Sequence, residues 1–338
     1  MITIAEIARI AGVSRYTASK VLNHDMTVKE ATRTKILKIC EEHGYIPNLN
    51  AINLVRGRSP LIGMIVPYIT DGFYSMMIQN MEVEAEKLGF HLLYKSYYND
   101  PKLEAKTIRT MLSLNVCGLF VVPAVIGIDK KTHQLAAKNI PVIYLDRPLS
   151  GNHCCILNDN TASARTMTEH LLKQTPSGDV VFLDSSYGES NPTAVARRKG
   201  YEIAMKKHGF TPKIIPASGN SNLQDSEQYA YERLTEFFQA GNRCKSLFCV
   251  TDASAFGAEK AAREAGLNPG KDFFIGGHDN LPFSAYSNPP ITTMTQPIPQ
   301  ICSKALEILQ SMLDGAPDPQ QHFMFSSELT IRKSAGEM

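Results

Sequence analysis

The chain has 338 residues, 35 basic and 33 acidic, for a net charge of +2, and 43% of its residues are hydrophobic. This is ordinary globular composition, long enough for two domains and a small third, and it excludes a disordered or fibrous chain. No apolar run approaches the roughly 18 residues of a membrane span; the longest, Leu61–Val66 and Leu119–Pro123, are strand-sized.

The N-terminal Met1-Ile2-Thr3-Ile4-Ala5-Glu6 lacks the basic-then-apolar pattern of a secretion signal, so a cytoplasmic location is expected, with no membrane partner. The seven cysteines include no CxxC pair and read as reduced thiols. Residues 1–58 hold nine basic and five acidic residues, net +4, which leaves the remainder at −2. A basic head on a slightly acidic body points to a polyanionic partner at the N-terminus.

In chain order, residues 3–43 read as three short helices. Thr3-Ile4-Ala5-Glu6 is a capping box, with a Thr oxygen for the orphan N–H groups and a Glu three residues on. Ile4, Ile7, Ala8 and Ala11 make one apolar face, and Gly12 is free to take the positive φ of a tight turn. Ser14 caps a second helix, Arg15–Asn23, with Ala18, Val21 and Leu22 facing inward. Thr27-Val28-Lys29-Glu30 reads as a second capping box. It opens a third helix with Ile36, Leu37 and Cys40 on one side and Gly44 at its end. Two helices joined by a Gly turn and braced by a third make a helix-turn-helix.

Thr3-Ile4-x-x-Ile7-Ala8-x-x-Ala11-Gly12-Val13-Ser14-x-x-Thr17-x-Ser19-x-Val21-Leu22-Asn23, followed by Tyr45-x-Pro47-Asn48, resembles the head of the LacI/GalR family of bacterial transcription regulators. The resemblance continues down the whole chain. It implies that the second helix enters a major groove by its N-terminal end, with Arg15, Tyr16 and Lys20 reading bases. Arg or Lys suits the O6/N7 edge of guanine, and Tyr16 offers a ring for a thymine methyl. Thr3, Ser14, Thr17, Ser19, Asn23, Thr32 and Asn48 are the expected contacts to the DNA backbone.

Residues 47–60 join head to body. Pro47 suits the first turn of a helix, and Asn48–Val55 is only two turns, too short to stand alone in water. In the resembled family this segment becomes a helix when two subunits meet on operator DNA, and a leucine from each wedges into the central minor-groove step. Leu54 matches that leucine and Ala51 the small residue before it. Ile52 and Asn53 stand where many members carry an Arg, so a phosphate contact is lost or moved to Arg56 and Arg58.

From Leu61 apolar strands alternate with amphipathic helices. Leu61–Pro67, His91–Tyr94, Gly118–Pro123, Pro141–Leu145, Val180–Leu183, Ser246–Val250 and Phe273–Gly277 read as strands. Ser75–Leu88, Lys102–Leu114, Ala162–Gln174, Ala194–His208, Gln224–Ala240 and Ala255–Ala265 read as helices. The alternation predicts an α/β fold of parallel sheets covered by helices. The resemblance implies a periplasmic-binding-protein-like body of two parallel-sheet α/β lobes, crossed three times by the chain. The expected organisation is a head over 1–46, a hinge over 47–59, and an effector-binding and dimerisation domain over 60–338. Within it, lobe one takes 60–158 plus 292–319, and lobe two 159–290 plus 320–333.

Ligands of open parallel sheets sit beyond the carboxyl ends of the strands. Asp146, Arg147, Thr251 and Asp279 follow predicted strands, and Phe73 and Tyr74 lie in the loop after the first. Arg197 and Gly200 match the family's Arg-x-x-Gly, whose Arg grips the effector. Gln296 ends a stretch like the family's Thr-Thr-hydrophobic-x-Gln, and Asp159 lies where the two halves meet. Carboxylates, a bidentate Arg and an aromatic platform suit a neutral, hydroxyl-rich effector such as a sugar. His278, where Tyr or Phe is usual, and Thr251, where Asn is common, leave a nucleobase open, because Phe73 could stack on either.

No HExxH, GxSxG or P-loop occurs, so an enzyme, a cofactor and a metal site are not expected. His153-Cys154-Cys155 reads as reactive or strained thiols rather than as ligands. A solute-binding receptor would share the body, but it would need a signal peptide and no DNA-binding head. The reading is a transcriptional repressor that binds a near-palindromic double-stranded operator as a homodimer, with a small-molecule effector as inducer or corepressor. No leucine-heptad tail follows the last strand, Glu328–Arg332.

Overall fold

A computed structural model describes residues 2–22, 25–46, 59–217 and 226–336. The chain divides into two units, residues 1–60 and 61–338. Asn23, Asn48, Leu54 and the rest of the hinge over 47–58 lie outside the described residues.

The first unit holds α1 (Ile4–Ala11), α2 (Arg15–Leu22) and α3 (Glu30–Glu42). The capping box at Thr3 is formed: the Glu6 carboxylate accepts from the Thr3 N–H at 2.7 Å, and Thr3 Oγ1 accepts from the Glu6 N–H at 3.3 Å. Gly12 takes φ 69° and ends α1, and Ser14 Oγ accepts from the Thr17 N–H at 3.1 Å to start α2. Ile7, Ala11, Val21, Ile36, Ile39 and Cys40 close the small core.

Two expectations for α3 are corrected. Leu37 is 45% exposed, and Ile39 takes its place, because positions 36, 39 and 40 share a face and 37 lies about 100° round from 36. Thr27 does not cap α3. Its N–H and hydroxyl both donate to Asp25 Oδ1, at 2.8 and 2.6 Å, and Lys29 stands at the N-cap without a side-chain bond. An Asp two residues upstream offers the backbone a turn that competes with the box.

The body carries β1 (Leu61–Val66), β2 (His91–Ser96), β3 (Gly118–Val121), β4 (Val142–Leu145), β5 (Cys155–Asn158), β6 (Val180–Leu183), β7 (Lys213–Ile215), β8 (Ser246–Cys249), β9 (Phe274–His278), β10 (Thr292–Thr295), β11 (His322–Phe325) and β12 (Glu328–Thr330). Its helices are α4 (Gly72–Lys87), α5 (Pro101–Ser113), α6 (Lys130–Asn139), α7 (Asn160–Gln174), α8 (Pro192–Lys207), α9 (Ser226–Gln239), α10 (Asp252–Glu264) and α11 (Ile298–Leu313). One sheet runs β11-β5-β4-β3-β1-β2, all parallel; the other runs β12-β10-β9-β8-β6-β7, with only β12 antiparallel. Every residue of β3, β4, β6 and β8 is buried, as strands covered by helices on both faces must be.

The chain passes from the first sheet to the second after β5, at Asp159. It returns at 296–297, between β10 and α11, and crosses again at 326–327. This corrects the lobe boundaries. Thr292–Thr295 pairs with β9 and belongs to lobe two, whereas His322–Phe325 pairs with β5 and belongs to lobe one. Gln296 and Pro297 fix the second crossing, since Pro has no N–H to continue a ladder. α11 then packs its apolar face on the lobe-one core beside α4.

All seven cysteines are free. Cys154 and Cys155 are fully buried, and burial pushes the Cys154 thiol up to about 12, so the expectation of reactive thiols there is corrected. No helix among the described residues is long and apolar enough to cross a membrane.

Candidate functional site

A cleft of about 90 Å³ opens between the carboxyl ends of the two sheets. Lobe one contributes Tyr68, Asp71, Phe73, Tyr74, Asp146 and Arg147. Lobe two contributes Ser185, Ser186, Tyr187, Asn191, Thr193, Arg197, Ser226, Tyr229, Val250, Thr251, Ser254 and Asp279.

The chain turns sharply after β4 and after β9. Asp146 and Asp279 sit in these turns with positive φ, 62° and 115°, a costly backbone of the kind held at binding sites. Each acidic side chain meets an arginine. Arg147 Nε lies 3.7 Å from Asp146 Oδ2. Its Nη1 donates to the Pro123 carbonyl at 2.9 Å, and its Nη2 to the Tyr74 hydroxyl at 3.0 Å. The Tyr74 hydroxyl in turn donates to Asp146 Oδ2 at 3.0 Å. In lobe two, Arg197 donates from Nε to Asn160 Oδ1 at 2.8 Å, from Nη1 to the Val250 carbonyl at 2.6 Å, and from Nη2 to Asp279 Oδ1 at 3.3 Å.

Burial sets the electrostatics. It pushes the Asp279 carboxyl up to about 6, against the pull of Arg197. It raises Asp146 as well, against Arg147 and Arg197. His278, wholly buried beneath Asp279, is driven well below its ordinary range by burial and by Arg197, so it is neutral. Both of its ring nitrogens are engaged, Nδ1 with Asp279 Oδ1 and Nε2 with Ser163 Oγ, each at 2.9 Å, and Ser163 Oγ also donates to the Asn160 carbonyl at 3.1 Å. At the mouth, the hydroxyls of Tyr68 and Tyr187 meet across the lobes at 3.2 Å.

On the head, Arg15 is exposed in the first turn of α2 and Tyr16 is 71% exposed. Lys20 Nζ stands 5.3 Å over the Tyr16 ring. Thr3 and Ser14 are occupied as caps, Thr17 Oγ1 lies 2.9 Å from Ser14 Oγ, and Ser19 and Thr32 are half-buried.

Residues 3–48 match the bacterial regulatory proteins of the lacI family, and residues 62–317 match the periplasmic binding protein domain. The chain belongs to the LacI family. It is 27% identical to the HTH-type transcriptional regulator DegA of Bacillus subtilis (strain 168), over 99% of this chain and 98% of that protein. It is 28% identical to the regulator GalR of Escherichia coli (strain K12), over 99% and 96%. The Lac repressor dimer bound to operator and the anti-inducer ONPF has the same fold, with a TM-score of 0.84 and 22% identity over 99% of each chain. This LacI-family protein is a DNA-binding transcriptional regulator.

Within the family member described here, the cleft brings together Phe73, Tyr74, Asp146, Arg147, Arg197, Thr251 and Asp279. It does not include Asp159, whose carboxylate accepts from the Ala162 N–H at 2.9 Å and caps α7. Gln296 is also absent from the lining: it stands behind Asp279 and donates from Nε2 to Oδ1 at 2.7 Å. Thr251 lines the cleft while its hydroxyl also caps α10. The sequence reading missed the loop after β6. Ser185, Ser186, Tyr187 and Asn191 follow strand Val180–Leu183 directly, so the same strand-end rule could have found them. Tyr68 and Asp71, just past β1, were open to the same rule.

Proposed function

We propose that this regulator is a repressor that binds a near-palindromic operator as a homodimer and is controlled by a sugar or sugar derivative held between its lobes. The observation that carries the reading is the pair of buried carboxylates facing each other from opposite lobes. Asp279 Oδ1 is taken by Arg197, Gln296 and His278, while Asp279 Oδ2 and Asp146 Oδ1 have no partner among the described residues. Two acceptors on opposite lobes suit a ligand rich in hydroxyl donors, which would hold the lobes together. A stacked nucleobase is less favoured: Phe73 is 6% exposed and lies edge-on against Tyr74 at 5.2 Å, which leaves little of its face free. Arg15, Tyr16 and Lys20 read bases, and Leu54 is the minor-groove wedge.

The test is a thermal-shift panel of pentoses, hexoses and nucleobases, followed by operator titration with and without each hit. Arg197→Ala and Asp279→Ala abolish the response to the hit and leave operator affinity without it nearly intact. If calorimetry shows the variants binding the hit as the parent does, the cleft is not the effector site.

A further inference from the structure

Lys20 is not a free arm. Its Nζ lies 3.2 Å from Asp25 Oδ2, donates to Thr27 Oγ1 at 3.1 Å, and stands over the Tyr16 ring. Asp25 is itself pinned. Its N–H donates to the Lys20 carbonyl at 2.9 Å, its carbonyl accepts from Arg33 Nη2 at 3.2 Å, and its Oδ1 takes both donors of Thr27. Those Thr27 bonds, with Lys20 beside them, hold the Asp25 carboxyl down at about 2, so it is ionised at any working pH. A lysine normally surrenders much rotamer freedom when it binds; a bracketed one has less to lose. The ammonium has three N–H donors, and Asp25, Thr27 and Tyr16 all lie around it.

We propose that Asp25 is a positioning residue for base reading: it holds Lys20 over Tyr16 so that ammonium and ring meet the DNA as one unit. The proposal rests on α2 being the recognition helix and Lys20 a base reader. An ammonium fixed in place fits one acceptor, such as guanine O6 or N7, and lacks the planar fork of an arginine. The Asp25 carboxylate also opposes any phosphate brought near it, so a misplaced duplex is penalised. The bracket therefore gives up non-specific affinity for base preference.

The experiment uses the full chain as parent, Asp25→Asn, Lys20→Met and the double variant. Each is put through operator selection from a randomised pool, then titrated on the selected operator and on random DNA at two salt concentrations. Asn keeps an oxygen for the Thr27 N–H but loses the charge. Asp25→Asn flattens the preference at one base pair of each half-site and lowers the operator-to-random affinity ratio about tenfold. It also tightens binding to random DNA, with a steeper salt dependence. On the Lys20→Met background, Asp25→Asn changes no preference. If Lys20→Met alters the preference and Asp25→Asn does not, Asp25 is only a surface charge and the proposal is overturned. If Lys20→Met alters nothing, the base-reading role of Lys20 falls, and this inference falls with it.

Discussion

Arg197 and Asn160 are joined by a 2.8 Å hydrogen bond, and through it the arginine in the cleft is tied to the first and third crossings between the lobes. Asn160 follows the first crossing and also accepts from Asn158 Nδ2 at 3.3 Å. Asn158 Oδ1 accepts from Ser327 Oγ, at the third crossing, at 2.6 Å. On its other side Arg197 meets Asp279, which Gln296 holds from the second crossing. The arginine that lines the cleft and the three crossing segments thus share one polar network. A change at Arg197 is therefore expected to reach each crossing.

Gly200 makes that bond possible. It lies three residues past Arg197 on the same face of α8, and a Cβ there would meet the Thr161 carbonyl oxygen at 2.2 Å and Ala164 Cβ at 2.9 Å. Gly200→Ala pushes α8 off α7 and moves Arg197 away from Asn160. The expected cost is about 1–3 kcal/mol of stability, with effector affinity falling about tenfold or more. Thermal melting and effector calorimetry read the two effects; a melting loss with unchanged affinity would uncouple the glycine from the arginine.

The hydroxyls of Tyr68 and Tyr187 form a clasp over the cleft. Tyr187→Phe removes the bond between the lobes, while Tyr68→Phe also removes the one to the Tyr98 carbonyl. At about 0.5–1.5 kcal/mol for such a bond, effector dissociation from Tyr187→Phe should be about 2- to 10-fold faster, with little change in association. The chain has 13 tyrosines and no tryptophan, so stopped-flow tyrosine fluorescence can follow both steps. Equal dissociation rates would show that the pair does not bar the exit.

Asp279 gives a pH dependence of defined sign. Its folded value, about 6, stands above the ordinary 3.8, so its contribution to stability is fully present below about 3.8 and is lost as pH rises through about 6. Arg197, His278 and Gln296 touch it, and Asp146, Asp71 and Asp252 add negative charge nearby. In urea titrations without effector, the parent should lose on the order of 1–3 kcal/mol relative to Asp279→Asn between about pH 4 and about pH 7. A constant difference would mean the carboxyl stays ionised throughout.

Leu54→Ala should weaken operator binding by an amount on the order of 2 kcal/mol, the burial of one leucine, less what unstacking the central step costs. It should reduce the DNA bend and leave salt-driven binding to random DNA almost unchanged. Paired titrations and a gel assay for bending check this. Equal losses on both DNAs would remove the wedge role.

Much of this protein is written locally. The capping box at Thr3, the turn at Gly12 and the cap at Ser14 need only neighbours three or four residues away, so the helix-turn-helix is legible in residues 3–22. The apolar runs of β1, β3, β4, β6 and β8 are equally plain, because strands covered on both faces leave no polar interruptions. The strand-end rule points to Asp146, Arg147 and Asp279 as candidate ligand contacts, and the resemblance of Arg197-x-x-Gly200 to the family motif adds Arg197. What the sequence could not decide is every choice between partners far apart in the chain. Thr292–Thr295 joins β9 and His322–Phe325 joins β5, because open sheet edges, not local propensity, select them. Asp159 caps a helix while Asp279 faces the cleft, although both follow strands. That difference depends on where two lobes come together, and only the tertiary structure supplies it, since the energy of a polar group is set by the burial and the partners it finds there.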